Sequence, residues 1–415
     1  SLDRWRWVIK NMVTGGVLKQ AEADAMRYPD VSHGSATAAE IGGPSGLIAD
    51  RVEQELADHG IPSGVLRTGG LTVVTTIDPL AQAAAVDAVG AALAGQPADL
   101  HAALVAVDPA TGGVRAYYGG DRGRGFFDDA VARRPPASTF KPLALAVGLQ
   151  TGISYRSRWD GSSPRTFPDR LGVPLHNDND VQCPECPLDR AMVESLNTPF
   201  YALGERVGAE NIRSMAVRLG IPDQYGKQRS LVDLKGEPRP DQTRVDIAIG
   251  RYPVAPTDLA TVYATFASGG YRTERHLVES VTDPTGATRY AVAIKRTRVL
   301  QTAVAADLTT VLAGVVDAHG PVTGHRAAAK TGTQAYGNTV DNQDAWTAGY
   351  TPGLAAVTWI GRERPGPIRE ASGLPIQGDG MPYRIWQAFL GQALAASPAR
   401  PLPAPAHLGR DVGDA

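Results

Sequence analysis

The spacing of apolar residues changes several times along the chain, and each change marks an element. In "GGLTVVTTIDPLAQAAAVDAV" the β-branched run from Leu71 to Ile77 predicts a strand, and the alanine-rich run after Pro79 predicts a helix with Asp78 as its N-cap. "HAALVAVDPATGGVRAYYGG" reads as two strands around the turn "DPATGG", a hairpin signal. The apolar run from Pro142 to Leu149 predicts a helix that begins near Ser138, because proline suits the approach to a helix and its first turn. Helical spacing recurs in "LDRAMVESLNTPFYALGERVG" and "PTDLATVYATFASGG", and strand patterns return in "AAAKTGTQ", "AWTAGYTP" and "LAAVTWIGRE". Strands at both ends with helices between them predict an α+β domain whose sheet is assembled from the two ends of the segment.

This domain is expected over residues 71–396. Residues 1–70 are polar and helix-patterned ("LKQAEADAMRY", "LIADRVEQELADHG") but broken by the Gly-rich "SHGSATAAEIGGPSG", which predicts a linker with helical pieces. The Pro/Ala-rich end, "SPARPLPAPAHLGRDVGDA" over 397–415, predicts disorder. At 415 residues and 43% hydrophobic composition the chain can build a sizeable core. A net charge of −2 without a basic run offers nothing to draw nucleic acid or anionic lipid. No stretch approaches transmembrane length, and "SLDRWRWVIKNM" lacks a signal core.

The two cysteines, Cys183 and Cys186 in "CPEC", are too few for a four-thiolate zinc site. They are a disulfide candidate, with two free thiols or a redox pair as the alternatives; a disulfide implies an oxidising, extracytoplasmic setting. "HNDND", from His176 to Asp180, lacks the glycine of a calcium loop and reads as a solvated loop. The histidines show no metal-ligand spacing, so neither metal nor cofactor is expected.

Three short strings carry the chemistry, in this order: S-T-F-K from Ser138 to Lys141, S-L-N from Ser195 to Asn197, and K-T-G-T from Lys330 to Thr333. A serine hydroxyl becomes a nucleophile only when a base takes its proton, and a lysine serves only if burial or a nearby cation keeps part of it neutral. One helical turn brings Lys141 within reach of Ser138. Lys330 is placed to depress the pKa of Lys141 and to bind an anionic substrate terminus, Ser195 to relay a proton to a leaving amine, and Asn197 to bond substrate backbone. The chain otherwise prefers arginine for positive charge, so a titratable lysine at two such positions is informative.

These strings, with "FFDDAVARRPPASTFKPLALAVGLQTGIS", "AMVESLNTPFYALGERVG", "VAPTDLATVYATFASGG" and "DAWTAGYTPGLAAVTWIG", resemble the transpeptidase domain of class A penicillin-binding proteins over roughly Gly70 to Phe389. The resemblance implies an antiparallel sheet flanked by helices, the fold shared with serine β-lactamases. It implies a D,D-transpeptidase that cross-links peptidoglycan stem peptides ending in D-Ala-D-Ala through a serine acyl-enzyme, and that reacts with β-lactams. Ser138 would be the nucleophile, Lys141 the base, Ser195 and Lys330 the proton relay, and Asn197 a ligand of the substrate amide. Thr331, Gly332 and Thr333 would line the substrate, the two threonines holding its carboxylate, and the amides of Ser138 and Thr333 would form the oxyanion hole. "VIKNMVTGGVLKQAEADAMRY" resembles the link after the family's glycosyltransferase domain, so the chain is expected to be the extracytoplasmic part of a longer protein, attached to the membrane only through an N-terminal anchor absent here.

Two positions depart from the family pattern. Ala137 and Ala329 stand where glycine usually precedes the nucleophile and K-T-G; the added methyls are expected either to narrow the site, slowing acylation by bulky β-lactams while still accepting peptide, or to be neutral drift. Two other readings share the motifs. A carboxypeptidase or β-lactamase would pass the acyl group to water, and "EPRPD" at Glu237 resembles the β-lactamase E-P-x-x-N except that Asp241 takes the Asn place; a non-catalytic sensor would bind peptidoglycan or β-lactam without turnover.

Overall fold

The computed structural model describes residues 2–28 and 42–415. The chain divides into two units, residues 1–41 and 42–415. In the first, helices α1 (Leu2–Thr14) and α2 (Gln20–Ala25) bury no residue, and Trp5 meets Tyr28 edge to face at 5.7 Å. Most of the Gly-rich break read in the sequence lies outside the described residues.

The second unit is larger than the expected domain at both ends. Helix α3 (Gly43–Asp58), read as linker, buries Leu47, Val52 and Leu56 in the main core. Its Glu55 carboxylate accepts the amides of Leu277 and Val278, at 2.7 and 3.0 Å, where β6 (Val278–Thr282) begins; β6 pairs antiparallel with β1 (Thr72–Thr75). Next comes α4 (Pro79–Leu93), capped as its sequence predicts: Asp78 accepts from the amides of Leu80 and Ala81.

Five antiparallel strands form the central sheet, in the order β7 (Ala328–Ala335), β8 (Asn342–Thr351), β9 (Leu354–Gly361), β2 (His101–Val107), β3 (Val114–Tyr118). Both ends of the segment supply it, as expected. The turn joining β2 to β3 needs glycine at 112, where φ is +80° and a Cβ would lie 2.2 Å from the Glu274 carbonyl oxygen. Alternation along each strand divides the core in two. Ala103, Val105 and Val107 join the larger cluster with the central helices, whereas Ala102, Leu104 and Ala106 face α4 and the last helix, α9 (Met381–Ala393). The helices on the larger side include α5 (Lys141–Gln150), α6 (Asn197–Val207), α7 (Pro256–Ala267) and α8 (Thr302–His319).

The tail is not disordered, contrary to its composition. The buried Asp307 carboxylate on α8 accepts the amides of Ala406, His407 and Leu408, at 2.6–2.9 Å. Arg410 exchanges backbone bonds with Gly152 and Ser154, and Asp411 and Asp414 accept from the amides of Arg158 and Asp160 on β4 (Arg158–Gly161). Strand β4 pairs with β5 (Cys183–Pro187), whose two cysteines form a disulfide. Proline removes donors but not acceptors, and after the proline-rich run the amides of Ala406, His407, Leu408, Arg410, Val412 and Ala415 are met by side chains or backbone of the domain.

Candidate active site

Ser138 lies three residues before a helix start. Residues Ala137–Phe140 form a 3-10 turn, and α5 begins only at Lys141. Pro142 explains the shift: it has no N–H to complete an α-helical bond to the Ser138 carbonyl, which instead accepts the Lys141 amide in the tighter register. The turn is held from below by the Tyr263 hydroxyl on α7, 2.8 Å from the Thr139 carbonyl oxygen, and from the side by β7. A Cβ at Gly332 would sit 2.8 Å from the Pro136 carbonyl oxygen and 3.1 Å from the Thr139 nitrogen, so strand and serine turn touch backbone to backbone.

Ser195 ends the short helix Leu188–Val193 in the left-handed region, φ +57°, a conformation glycine would adopt without penalty. This turn sends its hydroxyl towards two buried amines. Lys330 Nζ donates to Ser195 Oγ at 2.8 Å and to the Thr331 carbonyl at 2.9 Å. Lys141 Nζ lies 3.4 Å from the same hydroxyl, 2.5 Å from the Ser195 carbonyl oxygen and 2.9 Å from Asn197 Oδ1. The structure therefore brings Lys141, Ser195, Asn197 and Lys330 into one cluster, while the Lys141 hydrogen bonds go to the S-L-N segment and none to Ser138. Ser138 itself is half-buried on the turn just ahead of Lys141.

Both lysines are fully buried, and burial is the main reason their pKa values fall. Lys141 drops well below the usual lysine range, with the charge of Lys330 adding to the effect and Asp178 opposing it. Lys330 is pulled down to about 7, against the opposing charge of Asp379. The cluster thus holds a basic, partly neutral amine at neutral pH.

Residues outside the three motifs hold this arrangement. Asn177 Oδ1 accepts the amides of Asn197 and Thr198, at 2.8 and 3.0 Å, and so caps α6; its Nδ2 donates to the carbonyls of Gly161 and Val181. The His176 carbonyl accepts from Asn197 Nδ2 at 2.8 Å. "HNDND" is thus partly a buried support of the S-L-N turn and not simply a solvated loop. Only the Asn177 side chain and its long-range partners reveal this; no local pattern does.

On β7 the alternation decides what each side chain can reach. Lys330 faces Ser195. Ala329 belongs to the opposite face, in the cluster with Trp386, where Gly349 on β8 leaves room for it: a Cβ at 349 would lie 2.7 Å from that of Ala329. The expected narrowing by Ala329 is therefore corrected; its methyl is spent in the core behind the sheet. Ala137 does lie at the site, at φ +49°, where alanine is disfavoured relative to glycine. Thr333 Oγ1 accepts the Gly378 amide at 3.0 Å. Glu237 is bound to Arg251 at 2.6 Å and takes no part in the lysine cluster.

A five-stranded antiparallel sheet packed between helices, with a serine turn, an S-x-N turn and a K-T-G edge strand converging on two buried lysines, defines a serine acyl-transfer fold. Residues 102–361 match the penicillin-binding protein transpeptidase domain, and the chain belongs to that family. It is 36% identical to penicillin-binding protein 1A of Mycolicibacterium smegmatis, across 99% of this chain and 53% of that protein, and 35% identical to penicillin-binding protein 1A of Mycobacterium tuberculosis, across 99% and 51%. The chain thus spans about half the length of these curated relatives. The structure of PonA1 from Mycobacterium tuberculosis in complex with penicillin V superposes with a TM-score of 0.82 at 36% identity, covering 88% of this chain and 97% of that one. Among the described residues, no helix is long and apolar enough to cross a membrane.

Proposed function

We propose that this chain is a D,D-transpeptidase unit acting on peptidoglycan outside the cytoplasm, through an acyl-enzyme on Ser138. The observation that carries the reading is the buried pair Lys141 and Lys330 around Ser195, which places an amine whose pKa is well lowered beside a second amine that is partly charged at neutral pH.

In the proposed reaction, Lys141 takes the Ser138 proton as Oγ attacks the carbonyl of the penultimate D-Ala. The amides of Ser138 and Thr333 would receive the oxyanion, and Asn197 would bond the substrate amide through the Nδ2 hydrogen that His176 leaves free. Lys330, with Thr331 and Thr333, would hold the terminal carboxylate. The proton then passes from Lys141 by way of Ser195 to the leaving D-Ala nitrogen, the C–N bond breaks and the acyl-enzyme remains. An amine of a neighbouring stem attacks it by the reverse path. Lys141 must turn from the Ser195 carbonyl towards Ser138 for the first step, a rotation of a flexible side chain.

The disulfide between Cys183 and Cys186 agrees with an oxidising compartment. A hydrolase would need a group to activate water, and among the described residues no carboxylate hydrogen-bonds to the lysine cluster. Intact-mass measurement after incubation with penicillin tests the proposal. A persistent adduct that Ser138→Ala abolishes is the expected result; an adduct that clears within seconds favours hydrolysis. A folded protein that forms no adduct and turns over no thioester would support the non-catalytic reading.

A further inference from the structure

A cavity of about 870 Å³ is lined by neither Ser138 nor the two lysines. It opens where the catalytic cluster ends. Pro135 in its wall leads into the nucleophile turn, Gln334 follows Thr333 on β7, and Leu175 precedes His176, which holds Asn197. Three of its lining residues thus lie within three positions of Ser138, Thr333 and His176 in the chain, which sets the groove beside the proposed site.

The groove is cationic. Arg133, Arg134, Arg170, Arg229 and Arg251 line it against two carboxylates, Glu237 and Asp246. Four of these arginines are tied down. Arg170 pairs with Asp246 at 2.8 Å, Arg251 with Glu237 at 2.6 Å and Arg229 with Glu210, while Arg134 donates to the carbonyls of Arg362 and Glu363. Arg133 has no carboxylate partner among the described residues; it is exposed, with its guanidinium 4.5 Å from the centre of the Tyr225 ring.

We propose that this groove is a subsite for the acyl-donor peptide upstream of the scissile bond, and that it selects a donor carrying a free carboxylate there, with Arg133 as its principal ligand. The inference rests on the transpeptidase reading. If Lys330 holds the leaving residue's carboxylate and Thr333 the oxyanion, the order of residues on β7 sets the direction of the substrate: the acyl chain runs from the carbonyl away from Lys330, towards Gln334 and the groove. A peptide laid along it meets a surplus of guanidinium groups, whose planar donors suit a carboxylate. The carboxylate has two possible sources in a branched peptide, a backbone α-carboxylate or a side chain, so its position along the chain is part of the test.

The probes are D-alanyl thioesters extended N-terminally by two residues, with a carboxylate or the matching carboxamide on the first or the second added residue. Acylation of Ser138 is followed by thiol release. The wild-type protein is expected to favour the carboxylate over the amide about tenfold in kcat/KM at one of the two positions, the scale of one charge-assisted contact, and less at high salt. In Arg133→Ala that ratio falls towards one, and Arg133→Lys restores part of it. The position that responds identifies which carboxylate is read. A wild-type ratio of one at both positions overturns the proposal, as does a ratio that Arg133→Ala leaves intact. If the wild-type protein processes none of the thioesters, the transpeptidase reading falls and takes the subsite with it, an outcome distinct from equal use of carboxylate and amide.

Discussion

Replacing Lys330 by methionine should stabilise the protein at neutral pH and destabilise it in alkali. The Lys330 amine is fully buried, with only a hydroxyl and a carbonyl as hydrogen-bond partners, and burial lowers its pKa from 10.5 to about 7. Between those values the folded chain binds fewer protons than the unfolded one, so this group makes wild-type stability rise with pH across the window. The lysine's titration withholds ~4 kcal/mol from the folded state at pH 7 and ~1 kcal/mol at pH 10. Lys330→Met removes that penalty but gives up two hydrogen bonds, ~2 kcal/mol together and independent of pH. The variant should therefore be more stable than the parent by ~2 kcal/mol at pH 7 and less stable by ~1 kcal/mol at pH 10, while losing acylation. Relief of the repulsion on Lys141 acts in the same sense at the lower pH. Urea unfolding of both proteins at several pH values from 7 to 10 measures the difference directly. A stability difference that stays constant across that range would refute the burial argument, whatever its sign.

Three further outcomes follow from the packing. Gly332→Ala should slow penicillin acylation at least a hundredfold, because its methyl would press the Pro136 and Thr139 backbone off β7; a stopped-flow acylation rate near that of the parent would contradict this contact. Asp307→Ala leaves three amides of the tail without their acceptor and should cost ~3 kcal/mol, read by urea unfolding, with faster hydrogen exchange in residues 406–415 and in β4. Ala329→Gly should leave acylation rates unchanged, since the methyl lies behind the sheet; a rate rise would return Ala329 to the site wall.

Much of the local structure was legible because it depends on neighbours in sequence. Asp78 before Pro79 caps α4, the "DPATGG" turn closes its hairpin, and the three motifs could be picked out by order and spacing. Two further features are also set by sequence neighbours. Pro142 already implies that the serine turn is tighter than an α-helix, and alternation along "AAKTGT" already separates Ala329 from Lys330. Ala329 neighbours the motif in sequence but lies on the far face of the strand, so adjacency alone does not place it at the site.

The sequence by itself determined the secondary elements, the α+β class and the residue types on which the proposed chemistry depends, because propensity, capping and spacing act over a few residues. Only the tertiary structure decided the rest. The left-handed turn at Ser195 is imposed by its surroundings, and the low pKa values of the lysines come from being enclosed on all sides. The tail's order depends on Asp307, some hundred residues away. The support from Asn177 and the cationic groove depend on side chains whose distances are set by how the chain closes on itself, which no local pattern records.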